Sequence, residues 1–345
     1  MSKKRLVFHI GHPKTGSSYI QSLFANNTAL LRSKGINYPE LGAIERARSG
    51  GVTLGNVRAQ DFKNKEFFAR HLKGFDTLIL SNETLFSKFA DETKLIDNAS
   101  HHFDKIEIVM LLRDPYDFIR SYYIQRVKTC DFNGSLDEYI QLNEFGLPHL
   151  ERVERIIKKC ASEGYSLRTF QYHNSDSLLK KIIAEVTGVS GFLFTDPPLS
   201  KINRSLTEGE LYLQRRLNLR LSEKKLAYWL FAYELVTRVP EIETRLPEAS
   251  PDIQRKFHEI TLPKLQSINS LLPALEAYAL KQQPSAKPSA EISPDHYTFT
   301  KSQLDLLADI ISNEILSGKH RKRPLKEFAK RIREKSRSLR SRLLR

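Results

Sequence analysis

Short apolar runs separated by stretches of helical periodicity set the framework of this chain. Leu6, Val7, Phe8 and Ile10 form a β-branched and aromatic run that stops at Gly11 and Pro13, and a helical pattern opens at Tyr19. Buried-strand runs recur at 77–81, 106–112 and 166–172. Helical patterns fall over about 17–34, 67–72, 84–99, 115–128, 148–162 and 176–187. Strands alternating with helices predict a parallel sheet with right-handed crossovers, and ligands then bind at the carboxyl ends of the strands. The pattern from 206 to 280 is helical throughout, a Pro/Ser/Ala-rich stretch follows, and one more helix is expected over about 300–316. The expected organisation is an α/β core over 1–205, a helical part packed on it over 206–281, a linker over 282–295, a helix within 296–318 and a basic tail over 319–345. Residues 42–65, rich in Gly, Arg and Asn with little periodicity, read equally as a substrate-facing excursion or a surface loop.

Charge changes this picture at one end only. The chain carries a net +15, but thirteen Lys/Arg against two Glu crowd into 319–345, which leaves the rest of the chain a net of only four positive charges. In that tail Leu325, Phe328, Ala329, Ile332, Leu339 and Leu343 fall near one helical face. This is the composition of a helix lying on anionic lipid, or of a solvated tail touching nucleic acid non-specifically; specific nucleic-acid recognition is not expected. Cys130 and Cys160 give no disulfide framework, which suits a reducing compartment. No apolar run approaches the ~20 residues of a membrane-spanning helix, and the run after Lys3-Lys4-Arg5 is too short for a signal sequence. The chain is expected to be cytoplasmic, or at the inner face of the membrane if the tail docks there.

The candidate chemistry lies where the first strand ends. Strand, tight loop, helix is a geometry that aims backbone N–H groups and a positive helix end at one anion, and Lys14 adds a full mobile charge. The loop is not a nucleotide-triphosphate loop of the G-x-x-x-x-G-K-[ST] kind. Gly11 and Gly16 have the right separation, but Ser17 follows Gly16 and the lysine precedes it by two residues. Arg113, not an aspartate suited to Mg²⁺, closes the strand at 106–112.

Two segments resemble the sulfotransferase family. Pro13-Lys-Thr-Gly-Ser-Ser18 matches its 5′-phosphosulfate loop, P-K-[TS]-G-[TS]-[TS]. Arg113, Pro115, Ser121, Tyr122 and Tyr123 match its 3′-phosphate motif, in which a serine follows a strand-end arginine by eight residues. The first fifty residues also resemble a bacterial branch, through His9, Ile10, Gly11, Lys14, Gln21, Leu31, Gly35, Ile36, Tyr38 and Pro39. The resemblance covers about 5–200 and thins beyond. It implies an α/β fold, a P-loop-like three-layer sandwich with a central parallel sheet flanked by helices, here with a C-terminal helical extension.

The resemblance also implies a reaction: transfer of a sulfuryl group from 3′-phosphoadenosine 5′-phosphosulfate to an acceptor hydroxyl by in-line displacement, with no metal. Lys14, Thr15, Gly16, Ser17 and Ser18 would hold the 5′ end, with Lys14 also meeting charge on the bridging oxygen. Arg113 and Ser121 would hold the 3′-phosphate, and Arg204 is a further candidate there, unless it belongs to a helix-entry loop capped by Ser205 or Thr207. The base falls on Glu83, directly after the second strand run, with His12 as alternative; a helix-capping role for Glu83 is the competing account. The Arg-Lys-Gly element of cytosolic small-molecule enzymes is not evident, which shifts the expected acceptor towards a polyhydroxyl such as a glycan or glycolipid. Two other readings stay open: a P-loop-type nucleotide kinase or NTPase, and a catalytically silent nucleotide-binding protein that recruits a partner.

Overall fold

The computed structural model describes residues 3–12, 14–64, 66–92, 95–129, 132–172, 176–198, 204–221, 226–273, 276–280 and 297–317. The expected linker at 282–295 and basic tail at 319–345 lie outside the described residues, as does Pro13. The chain divides into two compact units. The first comprises Met1–Gln125, Gly134–Ser205 and Arg245–Ser289, and the second comprises Arg126–Asn133, Leu206–Thr244 and Ala290–Arg345.

The first unit is an α/β sandwich of three layers. Its sheet has five parallel strands, β1 (Arg5–His9), β2 (Ile36–Asn37), β3 (Thr77–Ser81), β4 (Lys105–Leu112) and β5 (Ser166–Gln171), in the order β2-β3-β1-β4-β5. Strand periodicity of two sends alternate side chains to opposite faces. Leu6, Phe8, Leu78, Leu80, Ile106, Ile108, Met110 and Leu112 pack on one side with Phe86, Phe89, Leu150, Val153 and Ile157. Val7, Ile79, Val109 and Leu111 pack on the other with Ile20, Leu23, Phe24, Ile182, Ile183 and Val186. Each such side chain, once buried, contributes about 1.5–3 kcal/mol, which is why both faces need helices. Glu107 interrupts the second face and is fully buried, but Arg5 Nη2 (2.7 Å), Lys105 Nζ (3.1 Å) and Arg168 Nη1 (3.7 Å) surround its carboxylate.

Several elements differ from the periodicity. The helix expected over 17–34 breaks into Ser17–Asn26 and Thr28–Ser33. At the break Asn27 Nδ2 donates to Leu23 O (2.7 Å) and Thr195 O (2.9 Å), while its Oδ1 accepts from Thr195 N (2.8 Å). An amide side chain that satisfies backbone groups competes with helix continuation. The edge strand β2 is two residues long, too short to show a pattern. The 206–280 segment is not continuously helical: it holds Glu208–Arg220, Tyr228–Ala232, Tyr233–Arg238 and Pro251–Asn269, with non-helical backbone around Pro240 and Pro247.

The second unit is helical. Glu208–Arg220 opens on Thr207, whose Oγ1 accepts from Glu210 N (3.3 Å) in a reciprocal cap. Phe231, Leu235 and Leu306 form its small core, the last from the Lys301–Ser317 helix. No helix among the described residues is long and apolar enough to cross a membrane.

Candidate active site

β1 ends at His9, and the loop that follows takes left-handed backbone at Gly11 (φ 66°), Lys14 (φ 69°) and Gly16 (φ 76°) before the Ser17–Asn26 helix begins. Glycine occupies such positions freely, whereas a lysine there costs roughly 1–2 kcal/mol. Left-handed backbone at a strand-to-helix loop is the conformation from which anion nests of backbone N–H groups are built. Ser17 Oγ is buried without a hydrogen-bonded partner, yet lies near enough to the Glu83 carboxyl to favour its ionised form. A buried hydroxyl left unpaired is costly unless a ligand completes it. That hydroxyl, on the loop whose Lys14 carbonyl holds Arg113, fits a phosphate or sulfate oxygen. Thr15 has a different role, since its Oγ1 donates to His12 O (2.6 Å) and fastens the loop. Ser18 is half-buried beside it.

The two cradles expected from the sequence meet. Arg113, directly after β4, donates from Nη1 to Lys14 O at 2.8 Å. Its own carbonyl accepts from Tyr278 Oη (2.8 Å), and its guanidinium lies 5.6 Å from the centre of the Tyr172 ring. Burial lowers the Arg113 pKa, with Tyr172 and Asp117 opposing. Asp114 Oδ1 accepts from Asp117 N (2.8 Å), which fixes the start of the Pro115–Lys128 helix with proline at its first position. Ser121 is buried on that helix, one turn before Gln125, so the two share a face. Gln125 Oε1 accepts from Lys14 Nζ at 2.7 Å. The serine therefore lies on the helix face that meets the lysine.

Lys14 is brought down to about 8, chiefly by burial and further by Arg113, against the pull of Glu83. Glu83 is shifted up by burial, with Lys14 and Ser17 opposing. A carboxyl group moved towards neutrality and a cation moved down form a coupled pair suited to proton transfer near neutral pH. Their closeness is built into the backbone. A Cβ at Gly11 would come within 2.7 Å of Glu83 Cβ and 2.8 Å of its Cα, so glycine there lets β3's exit lie against the loop. Glu83 is not a helix cap: the next helix, Leu85–Asp91, has Thr84 before it and no acidic residue in its first turn. Asn82 braces that turn through Thr84 N (2.8 Å).

His12, the alternative base, is fully buried among aromatic rings. Its Nε2 faces His149 Nε2 at 2.5 Å, and its ring meets Phe118 (4.9 Å) and Phe86 (5.5 Å) edge-on. Arg204 is buried, and its Nη1 donates locally to Ser205 O at 2.9 Å.

Four contributors were not found in the sequence. Gln125 could have been, as the residue one helical turn beyond Ser121. Tyr172, Tyr278 and His149 act through contacts distant in sequence and carried no local signal. The aperiodic stretch at 42–65 proves to be tied to the site. Gly55 bridges Asn82, Asn56 N donates to Ser81 O (3.0 Å), and Thr53 Oγ1 donates to Gln21 Oε1 (2.6 Å).

No family model matches the chain, and no curated protein matches it. Among solved structures, a sulfotransferase from Alicyclobacillus acidocaldarius is similar with a TM-score of 0.42 and 12% identity, covering 77% of this chain and 94% of that one. A sulfotransferase domain from the curacin biosynthetic pathway is similar with a TM-score of 0.33 and 11% identity, covering 75% and 97%. Likenesses this distant carry no weight for activity, which is argued from the residues alone.

Proposed function

We propose that this chain is a sulfotransferase that moves a sulfuryl group from 3′-phosphoadenosine 5′-phosphosulfate to a hydroxyl of a carbohydrate or glycolipid acceptor. The observation that carries the reading is the Arg113 Nη1 to Lys14 O bond at 2.8 Å, which joins two anion-binding motifs about a hundred residues apart, with Glu83 seated against the same loop.

The donor supplies an activated sulfuryl group on a good leaving group. Lys14, the N–H groups of residues 15–18 and the Ser17 and Ser18 hydroxyls would grip its 5′ end, and Arg113 and Ser121 its 3′-phosphate. Glu83 accepts the proton of the attacking hydroxyl as the new S–O bond forms. The S–O bond to the 5′-phosphate breaks, and Lys14 neutralises the charge that gathers on that oxygen as adenosine 3′,5′-bisphosphate leaves. Glu83 is preferred to His12 as base because His12 is enclosed by rings and engaged with His149.

Thermal-shift titration with adenosine 3′,5′-bisphosphate, ATP and adenosine 5′-phosphate tests the reading. Selective stabilisation by the bisphosphate, followed by transfer of labelled sulfate to a glycan panel, is expected; stabilisation by ATP alone with Mg²⁺ dependence would overturn it. The reading extends to a peripheral position on anionic lipid through 319–345. Vesicle co-sedimentation should fall when that segment is deleted, and unchanged pelleting refutes the extension.

A further inference from the structure

A cavity of about 710 Å³ is lined by the 42–63 stretch and by residues 82–98, with no residue of the 11–18 loop among its described lining. Its wall includes Asn82 and Thr84, the residues on either side of Glu83, and Gly55, whose backbone bridges Asn82. The aperiodic 42–64 stretch supplies much of the rest. Glu83 itself, packed against Gly11, is the residue between the Asn82 and Thr84 wall positions.

The lining has a pronounced charge bias. Arg46, Arg58, Lys63 and Lys88 contribute cations, all exposed, and among the described residues Glu92 contributes the single carboxylate. Neighbouring arginines behave differently: Arg48 is neutralised by Glu40 (2.6 Å) and Glu45 (2.5 Å), and Arg32 by Glu40 (2.9 Å). Among the described residues none of the four pocket cations has such a carboxylate partner. Unpaired surface cations are ordinary on a solvated face. These four converge instead on one concavity, beside the apolar side chains of Leu54 and Val52, which remain 59% and 36% exposed on its wall. Cations around an apolar-lined cleft concentrate anionic ligands and hold them by charge-assisted contacts.

We propose that this cavity is the acceptor site and selects a hydroxyl-bearing acceptor with an apolar body and an anionic group, a carboxylate or phosphate, away from the reacting hydroxyl. The assignment rests on the sulfotransferase reading for the acceptor's role, while the anion preference is a property of the cavity and is measured without any turnover.

Fluorescence binding of 4-methylumbelliferyl β-D-glucoside, its 6-phosphate and 4-methylumbelliferyl β-D-glucuronide, with and without saturating adenosine 3′,5′-bisphosphate, tests it. One or both anionic glycosides should bind about tenfold tighter than the neutral one at low salt, and the winner identifies the preferred anion. Added salt should erode that preference. The triple variant Arg58→Ala/Lys63→Ala/Lys88→Ala should abolish it while leaving bisphosphate affinity and thermal stability unchanged. Equal binding of all three glycosides, preference for the neutral one, absent binding of both anionic ones, or a preference that survives the triple variant would overturn the proposal. If the bisphosphate fails to bind while the anion preference stands, the donor assignment and the acceptor role fall with it, and the cavity's anion selectivity remains.

Discussion

Replacing Arg113 by alanine gives a test that needs no acceptor. Arg113 is assigned two jobs: a charge-assisted contact to a 3′-phosphate, and the 2.8 Å bond that ties its guanidinium to Lys14 O. Hydrogen bonds to charged groups are worth about 1.5–3 kcal/mol and neutral ones about 0.5–1.5 kcal/mol. Losing the first should weaken adenosine 3′,5′-bisphosphate by roughly 10- to 150-fold. Losing the second loosens the loop that grips the 5′-phosphate, and weakens every 5′-nucleotide by a common factor that cancels when two nucleotides are compared. The informative quantity is therefore a ratio. Calorimetric titration should show the bisphosphate losing at least tenfold more affinity than adenosine 5′-phosphate. Arg113→Lys should recover part of the loss, since it restores charge without the planar fork. Equal losses for the two nucleotides, or none, would refute the assignment of Arg113 to the 3′ end.

Glu83→Gln should reduce kcat by about 10²- to 10⁴-fold while the bisphosphate still binds, and should abolish the acidic limb of the pH–rate profile. Because Glu83 helps keep Lys14 charged at a pKa of about 8, the alkaline limb of residual activity should also move to lower pH; an unmoved limb refutes their coupling. A Gly55→Ala substitution would place Cβ 1.9 Å from Ser81 O at φ 127°, so a loss of roughly 2–4 kcal/mol is expected in urea unfolding, and wild-type stability would contradict the geometry. His9 is depressed by burial to about 4, and His149 lies well below its ordinary value through burial and the neighbouring His12. The native state thus resists protons that the unfolded chain accepts, and stability present above pH 6.5 falls as pH drops below it, by about 1.4 kcal/mol per unit and group. His149→Phe, stacking on Phe118 as the imidazole does, should make the acid-side decline shallower; an identical slope counts against buried neutral imidazole as its cause.

What could be read from the residues was what is local. The β1 run, the loop and the Ser17 helix start are contiguous, so their spacing carried the local fold and brought the candidate residues with it. The Pro115 helix was legible for the same reason, and it carried Ser121 with it. The two-sided burial of β1, β3 and β4 appeared as near-continuous apolar runs, interrupted in β4 by Glu107, the mark of a parallel sheet covered by helices. The Lys14–Gln125 and Tyr278–Arg113 bonds join residues 111 and 165 positions apart, and no periodicity encodes such meetings. The break at Asn27 depends on Thr195, also far along the chain. The 42–64 stretch was ambiguous because backbone held by single amide and glycine contacts needs no repeating pattern.

That last arrangement has an evolutionary corollary. The anion loop and the cavity wall belong to separate stretches of chain, joined at the β3 exit by Gly55 and Asn56 and at the Ser17–Asn26 helix by Thr53. The side chains of Arg46, Val52, Leu54 and Arg58 make none of those three fastening contacts. Under the proposed function, drift at these four positions would retune which molecule is modified while the chemistry proposed for Lys14 and Glu83 is inherited intact.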